Sequence, residues 1–464
     1  MTINTMSPNQ ANTPKPDKSQ TVSHAPAGRT FLKYLLPSLI GLLAISSASI
    51  VDGIFIGRYE GETALAAINL LIPIFSVYAG LFYMLAVGGS VSAGKWIGEE
   101  NYQDSSNIFS KALMALIAVS LLFCALSFTL AEPLYRLLGA DDSLKSLLDN
   151  YFKTLLPFLP VQAMSIGLYF FVRIAGKPAL ASAALISAAI LNVGLDYLFI
   201  ARLDLGLYGA ALATGLSQLC ALLVLSLYFL HKERILSFSF RQKNWSSLAQ
   251  SSFNGLSEFI NEMSAGTVAF IINLLIIKQL GTQGLAAFSL VNYTMFIGLL
   301  VSFSIADCLQ ALSSQCYGAK QWQQLRRFLL IALSASISVG ITFSVILLSS
   351  AEHIMSVFIQ GDKQPLLDQA RAFADILWPV FILNGLNITL SAYLTALHRA
   401  AASSFIALSR SLILPLTFIA VFIYLVPEYS PVLSITLAEA GTLILAVLLY
   451  KKYSIAKLMR HGQL

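Results

Sequence analysis

The sequence predicts an all-α, polytopic membrane protein of twelve transmembrane helices in two six-helix lobes related by pseudo-two-fold symmetry. Three observations carry this. Hydrophobic residues are 57% of the 464 and charged residues only 11%, where soluble chains hold about 45–50% and about 25%. The apolar residues fall into blocks that reach the roughly 20 residues a helix needs to cross a bilayer, without the alternation of spanning β-strands. The second half of the chain also repeats the first.

The blocks run over about 31–57, 64–92, 107–131, 150–173, 178–200, 206–230, 250–277, 284–316, 326–349, 372–397, 401–425 and 431–450. Loop-like punctuation separates them, as at Gly139-Ala140-Asp141-Asp142 and Gly176-Lys177-Pro178. Pro37, Pro73, Pro157, Pro160, Pro379 and Pro415 fall within the spans, where proline frees backbone carbonyls and allows bending. Lys and Arg set the expected topology. With the amino terminus inside, 20 of them lie on inner segments and 8 on outer ones, the bias of a chain with both ends cytoplasmic. The expected organisation is a disordered tail over 1–30, an amino-terminal lobe over 31–230, a cytoplasmic linker over 231–247, a carboxy-terminal lobe over 248–453 and a tail over 454–464.

The repeat appears at an offset of 220. GETALAAINL from Gly61 lies on GTQGLAAFSL from Gly281, and the alignment continues without a gap to Gly98 on Gly318. At an offset of 222, Pro157 meets Pro379, Lys177 meets Arg399 and Ser182 meets Ser404. Six spans per half keep both halves in one orientation, a parallel repeat about an axis along the membrane normal, with substrate expected between the halves near the midplane.

The formal charge of +6 is what cytoplasmic loops rich in Lys and Arg produce. No basic stripe is visible, so no nucleic-acid partner is expected. Cys124, Cys220, Cys308 and Cys316 form no CxxC pair, and the five histidines lack ligand spacing. There is no GxxxxGK[ST] loop, HExxH or paired aspartate-rich motif, so neither an enzyme nor a cofactor is predicted.

An ionisable residue at membrane depth is costly and by default faces the interior with a task. Asp52 sits among Ile50, Val51, Ile54, Phe55 and Ile56. Asn192 and Asp196 are four apart, on one helix face. A carboxylate and an amide oxygen so placed suit Na⁺, or a proton held by a buried carboxyl; a structural hydrogen bond is the alternative. Glu258 and Glu262 are also four apart. Two like charges on one face repel, which suits one carboxyl being protonated or bound to a cation; the alternative for Glu258 is a solvated place near the cytoplasmic end, with Glu262 about a turn deeper. Asn384 and Asn387 either line a cavity or bond neighbouring helices. For Asp307, Arg410 and Glu439 structural roles are favoured, with Arg410 and Glu439 as a candidate buried ion pair.

VDGIFIGRYEGETALAAINL, ILNVGLDYLFI followed by GLYGAALATGLSQ, and GLSEFINEMSAGTVAFIINLLI together resemble the multidrug and toxic-compound extrusion (MATE) transporters over about residues 30–455. The resemblance implies an amino-lobe cation site, in which the family's first-span aspartate matches Asp52, its fifth-span Asn-x-x-x-Asp matches Asn192 and Asp196, and its sixth-span threonine matches Thr214. All four present is similar to the DinF-like branch. The other branch carries acidic residues on spans seven and ten. Here span ten offers Asn384 and Asn387, and Glu262 is displaced by about a turn.

The expected function is export of amphiphilic or cationic organic molecules driven by inward H⁺ or Na⁺. The coupling ion, possible Na⁺ included, would sit at Asp52, Asn192, Asp196 and Thr214. Glu262, Asn384 and Asn387 are candidates for a substrate or carboxy-lobe cavity. The chain is expected to be a monomer in the bilayer of a bacterial inner membrane. The alternatives are a flippase for lipid-linked oligosaccharide or another metabolite, and, from other classes, a channel or membrane enzyme.

Overall fold

The computed structural model describes residues 26–358, 364–425 and 430–461; the expected tail over 1–30 lies mostly outside them. Twelve helices are long and apolar enough to span a membrane. In the first half these are α1 (Ala27–Tyr59), α2 (Ile72–Gly98), α3 (Tyr102–Thr129), α4 (Leu144–Ile174), α5 (Pro178–Arg202) and α6 (Gly206–Leu230). In the second half they are α7 (Leu256–Ser289), α8 (Val291–Gly318), α9 (Trp322–Ser349), α10 (Leu367–Ala396), α11 (Ala400–Tyr424) and α12 (Leu433–Lys457). No strand occurs among the described residues.

Two boundaries differ from the hydropathy reading. The apolar segment expected to open the second span at residue 64 is a separate helix, Gly61–Leu70. Pro73 then stands in the first turn of α2, where a missing N–H costs nothing. Similarly, Ser246–Asn254 is a helix of its own, so α7 starts at Leu256 rather than 250 and the linker ends in helix. The prolines follow the same logic. Only Pro37 and Pro379 lie inside uninterrupted helices, whereas Pro160 and Pro415 open new segments. Helices α7 and α8 are continuous except at Gly281, whose φ of 66° and ψ of −164° break the run; only glycine enters that region readily.

In the first lobe α1 packs on α5, α5 on α6, and α2 on α3 and α4; in the second α10 packs against α7–α8, α9 and α12. Between the lobes the main contact is α2 against α7–α8. Glycines let the backbones touch there. A Cβ on Gly88 would strike the Ser251 carbonyl, and one on Gly255 the Met84 carbonyl. Gly98 abuts the Gln315 carbonyl, Gly318 abuts the Lys95 carbonyl, and Gly94 meets Ser314. The last three obey the 220-residue offset of the repeat: 95 corresponds to 315, 98 to 318 and 94 to 314. The pseudo-two-fold axis passes through this seam. By connectivity, Gly98 and Gly318 lie at the end of the bundle that carries both termini, so the lobes are closed at that end.

The repeat extends to the turns. Glu100 (φ 56°) and Lys320 (φ 55°) take left-handed conformations at an offset of 220, and Gly176 (φ 83°) and His398 (φ 57°) at 222. The linker docks on the first lobe. Ser237 and Ser239 donate their N–H groups to Ser106 Oγ and Ser110 Oγ at 3.1 and 3.0 Å, and Lys111 Nζ donates to the Asn244 carbonyl at 3.0 Å.

Candidate functional site

The first polar centre lies inside the amino lobe. Asn192 and Asp196 are on the buried side of α5, 6% and 0% exposed. Asp196 is the last α-helical residue before a π-helical turn, Tyr197–Arg202; such turns alter side-chain direction and recur at functional sites. Asp52 of α1 faces Asp196, carboxyl to carboxyl and close enough for one hydrogen bond. Asp52 Oδ1 and both Asp196 carboxylate oxygens are buried without a donor among the described residues. Two ionised carboxylates only accept, so this arrangement is unsatisfied unless a proton is shared or a cation lies between them. Thr214 of α6 is linked to this centre through the Tyr151 hydroxyl, with which it hydrogen-bonds. Tyr151 of α4, not selected from sequence, sits beside Thr214 and faces both carboxylates. A lone tyrosine at the edge of an apolar block carries no pattern to single it out. The donors present are all oxygens, the set that suits H⁺ or a hard cation.

A second polar centre joins the lobes. Arg173 at the end of α4 is 2% exposed and reaches across to Asp307 of α8 at 3.1 Å. Its guanidinium also covers the Tyr169 ring at 5.1 Å. Removing one partner of a buried pair leaves an uncompensated charge, which costs about 3–5 kcal/mol. Arg173→Gln should therefore lower thermal stability clearly, and the double variant Arg173→Gln/Asp307→Asn should recover most of it. Equal losses in both would mean the pair is not the cause.

The third centre fills the carboxy lobe. Glu258 lies not in solvent but on a small cavity of about 20 Å³, with Asn261, Asp307, Asn387 and Arg410 also on its wall. Arg410 and Glu439 are not an ion pair in the structure. Arg410, in the π turn Ser409–Ile413, donates to Asn261 Oδ1 at 3.2 Å. Asn384 and Asn387 each donate to the Glu439 carboxylate at 2.7 Å. The two amide donors give the buried carboxyl oxygens hydrogen-bond partners. Asn384 also lines a neighbouring cavity of about 150 Å³ with Phe296, Phe381 and Met295. Glu262 lines neither cavity and faces Tyr83 of α2. So Asn384 and Asn387 come together on Glu439, and Glu262 lies toward α2, near Tyr83 and Glu258.

Two six-helix repeats around a membrane-normal axis, with buried ionisable groups inside and between them, define a membrane transporter rather than an enzyme. The MatE family model matches residues 37–198 and 260–421, one copy in each half and more than half of the chain in all, and the chain belongs to that family. Among its relatives is the multidrug export protein MepA of Staphylococcus aureus (strain N315), 22% identical over 401 residues, which are 85% of this chain and 87% of that one. MepA of Staphylococcus haemolyticus (strain JCSC1435) is 22% identical over 394 residues, covering 84% and 86%. The fold is that of solved MATE structures. A MATE protein crystallised in the bent conformation superposes with a TM-score of 0.87 at 19% identity, covering 97% of this chain and 100% of that one. A MOP superfamily transporter from Pyrococcus furiosus gives 0.87 at 20%, covering 96% and 100%.

Proposed function

We propose that this protein is a secondary active exporter of amphiphilic, cationic organic molecules, driven by inward movement of H⁺ or Na⁺. The observation that carries this reading is the Asp52–Asp196 pair, two facing carboxyls buried within one lobe and lacking protein donors. Loss or gain of a cation there changes the tie between α1 and α5. A ligand shifts a two-state equilibrium only by its differential affinity for the states, and a site assembled from three or more helices changes affinity when those helices move. Export of drug-like molecules is supported by the relatives named as multidrug export proteins. The excess of Lys and Arg on one set of loops supports both termini in the cytoplasm, and the bacterial relatives support a bacterial cytoplasmic membrane. Under that topology the closed seam faces the cytoplasm. Against a flippase for diphosphate-linked cargo stand the intramembrane cations, since Arg173 is held by Asp307 and Arg410 by Asn261.

The test is reconstitution into vesicles with imposed Na⁺ or pH gradients, followed with a panel of dye cations. Dye flux should follow one of the two gradients and stop when that gradient is collapsed. Flux indifferent to both gradients, or an ungated conductance, would overturn the exporter reading.

A further inference from the structure

At the closed seam, on the end that carries the termini, lies a cavity of about 470 Å³ that the transport cycle proposed above does not use. The amino lobe contributes Lys95 and Trp96, and the carboxy lobe His398, Arg399 and Tyr453. No carboxylate is on its wall. Lys95 has Glu99 at 3.8 Å, a long contact between side chains each 39% exposed, which holds the ammonium weakly. Arg399 has no carboxylate within 4.0 Å among the described residues; it stacks on the Tyr453 ring at 4.9 Å, and its Nε is buried without an acceptor. His398 Nε2 is likewise buried without a partner. Burial, with Lys95 and Arg399 facing it, holds the His398 imidazole down at about 4, as a surplus of positive charge requires. Ala400 and Ala401, the uncapped first turn of Ala400–Leu408, also line the cavity, adding amide donors at the positive end of a helix.

The repeat shows that this cavity is not demanded by the fold. The position equivalent to Lys95 is Gln315, which is buried and donates to the Ile174 carbonyl at 2.7 Å. The position equivalent to His398 is Gly176, and both take positive φ. That conformation suits glycine and is uncommon for a histidine. This cavity thus brings Lys95 to His398 and Arg399, where its symmetry mate brings Gln315 to Gly176 and Lys177.

We propose that this cavity binds a phosphate ester, and that the bound ester fastens the two lobes together at this end. The phosphate lies against Arg399, Lys95 and the Ala400–Ala401 amides. The volume exceeds that of a bare phosphate, so an organic substituent lies along Trp96 and Tyr453. Because the anion touches both lobes, it binds only the state in which this seam is closed and shifts the population toward that state. The ester is either the headgroup of an anionic phospholipid, since the cavity sits at the ends of the spans, or a soluble organophosphate.

The test uses the full-length protein in phosphatidylcholine nanodiscs, with and without phosphatidylglycerol, and titrated separately with glycerol 3-phosphate. Trp96 emission reports binding, with Trp96→Phe accounting for the other three tryptophans. A response in the wild type that is weakened at least tenfold in Lys95→Gln/Arg399→Gln supports the site. Response to phosphatidylglycerol alone assigns the lipid headgroup; response to glycerol 3-phosphate as well assigns a soluble ester. No response to either probe, or an equal response in the double variant, overturns the proposal. Should the double variant not fold, Lys95→Gln alone serves, since Lys95 is 39% exposed and its loss removes one of the two cations. The readout is binding, so failure of gradient-driven efflux leaves this result unaffected.

Discussion

Replacing Asp52 or Asp196 by Asn should abolish gradient-driven efflux while leaving the protein inserted and folded. Asn keeps the volume of Asp but cannot take up a proton, and it offers a cation one neutral oxygen in place of a carboxylate. Driving a two-state equilibrium from one side to the other takes about 5.5 kcal/mol of differential binding. A site that has lost one of two carboxyls cannot supply that, and the gradient-dependent rate should fall about a hundredfold or more. The fold should survive, because Asp52 Oδ1 and both Asp196 oxygens have no protein donor to lose. Tyr151→Phe, which removes the hydroxyl facing both carboxylates, should weaken coupling less than either Asp change. Measured in vesicles at matched expression, undiminished efflux in both Asn variants would remove the amino-lobe site from the mechanism.

The second large effect is expected at the seam. Gly98→Val and Gly318→Val each place a side chain against a backbone carbonyl of the opposite lobe, which no rotamer change can relieve. Overpacking typically costs about 1–3 kcal/mol, and here the chain can avoid it by separating the lobes. These variants should fold but stay open at this end and stop transporting. Cys308 and Cys316 give the readout. Both are buried near the seam, and Cys308 Sγ donates to the Phe31 carbonyl of the opposite lobe at 3.4 Å. In a Cys124→Ser/Cys220→Ser background, maleimide should label the two remaining thiols at least tenfold faster in the Val variants. Gly266→Ala, which meets nothing within 4 Å, should label like the wild type. Unchanged labelling with normal transport would mean that the seam does not gate the cavity.

Much of this architecture was legible before any coordinates. Hydropathy marks twelve blocks because a bilayer demands length and apolarity, and the offset that pairs Gly98 with Gly318 anticipates the seam, since residues near a two-fold axis meet their own equivalents. What hydropathy misses is where apolar chain continues through a break. Gly61–Leu70 and Ser246–Asn254 are separate helices because Pro73 and Gly255 interrupt the run, and neither changes the mean hydropathy. Among polar residues, Asn192 and Asp196 stand out through their helical spacing. Glu439 stands out as an intramembrane carboxyl, but its partners do not, because Asn384 and Asn387 are some fifty residues away. For the same reason Arg173–Asp307, an ion pair spanning 134 positions, cannot be read from local pattern.

The seam has the geometry of an isologous dimer interface, each half offering the other the same patch, yet its two partners are one chain. Two free subunits associating at micromolar concentration would need about −8 kcal/mol, and an interface that strong would resist parting in every cycle. The segment from His231 to Trp245 docks on the first lobe and keeps the second within reach, an effective concentration on the order of millimolar for a short connection. At that concentration about −4 kcal/mol suffices to close the seam. Covalent continuity thus lets glycine–carbonyl contacts stand at the seam beside the few side-chain bonds that cross it. In the cycle proposed above, the seam can be weak enough to open because its halves are never lost to each other.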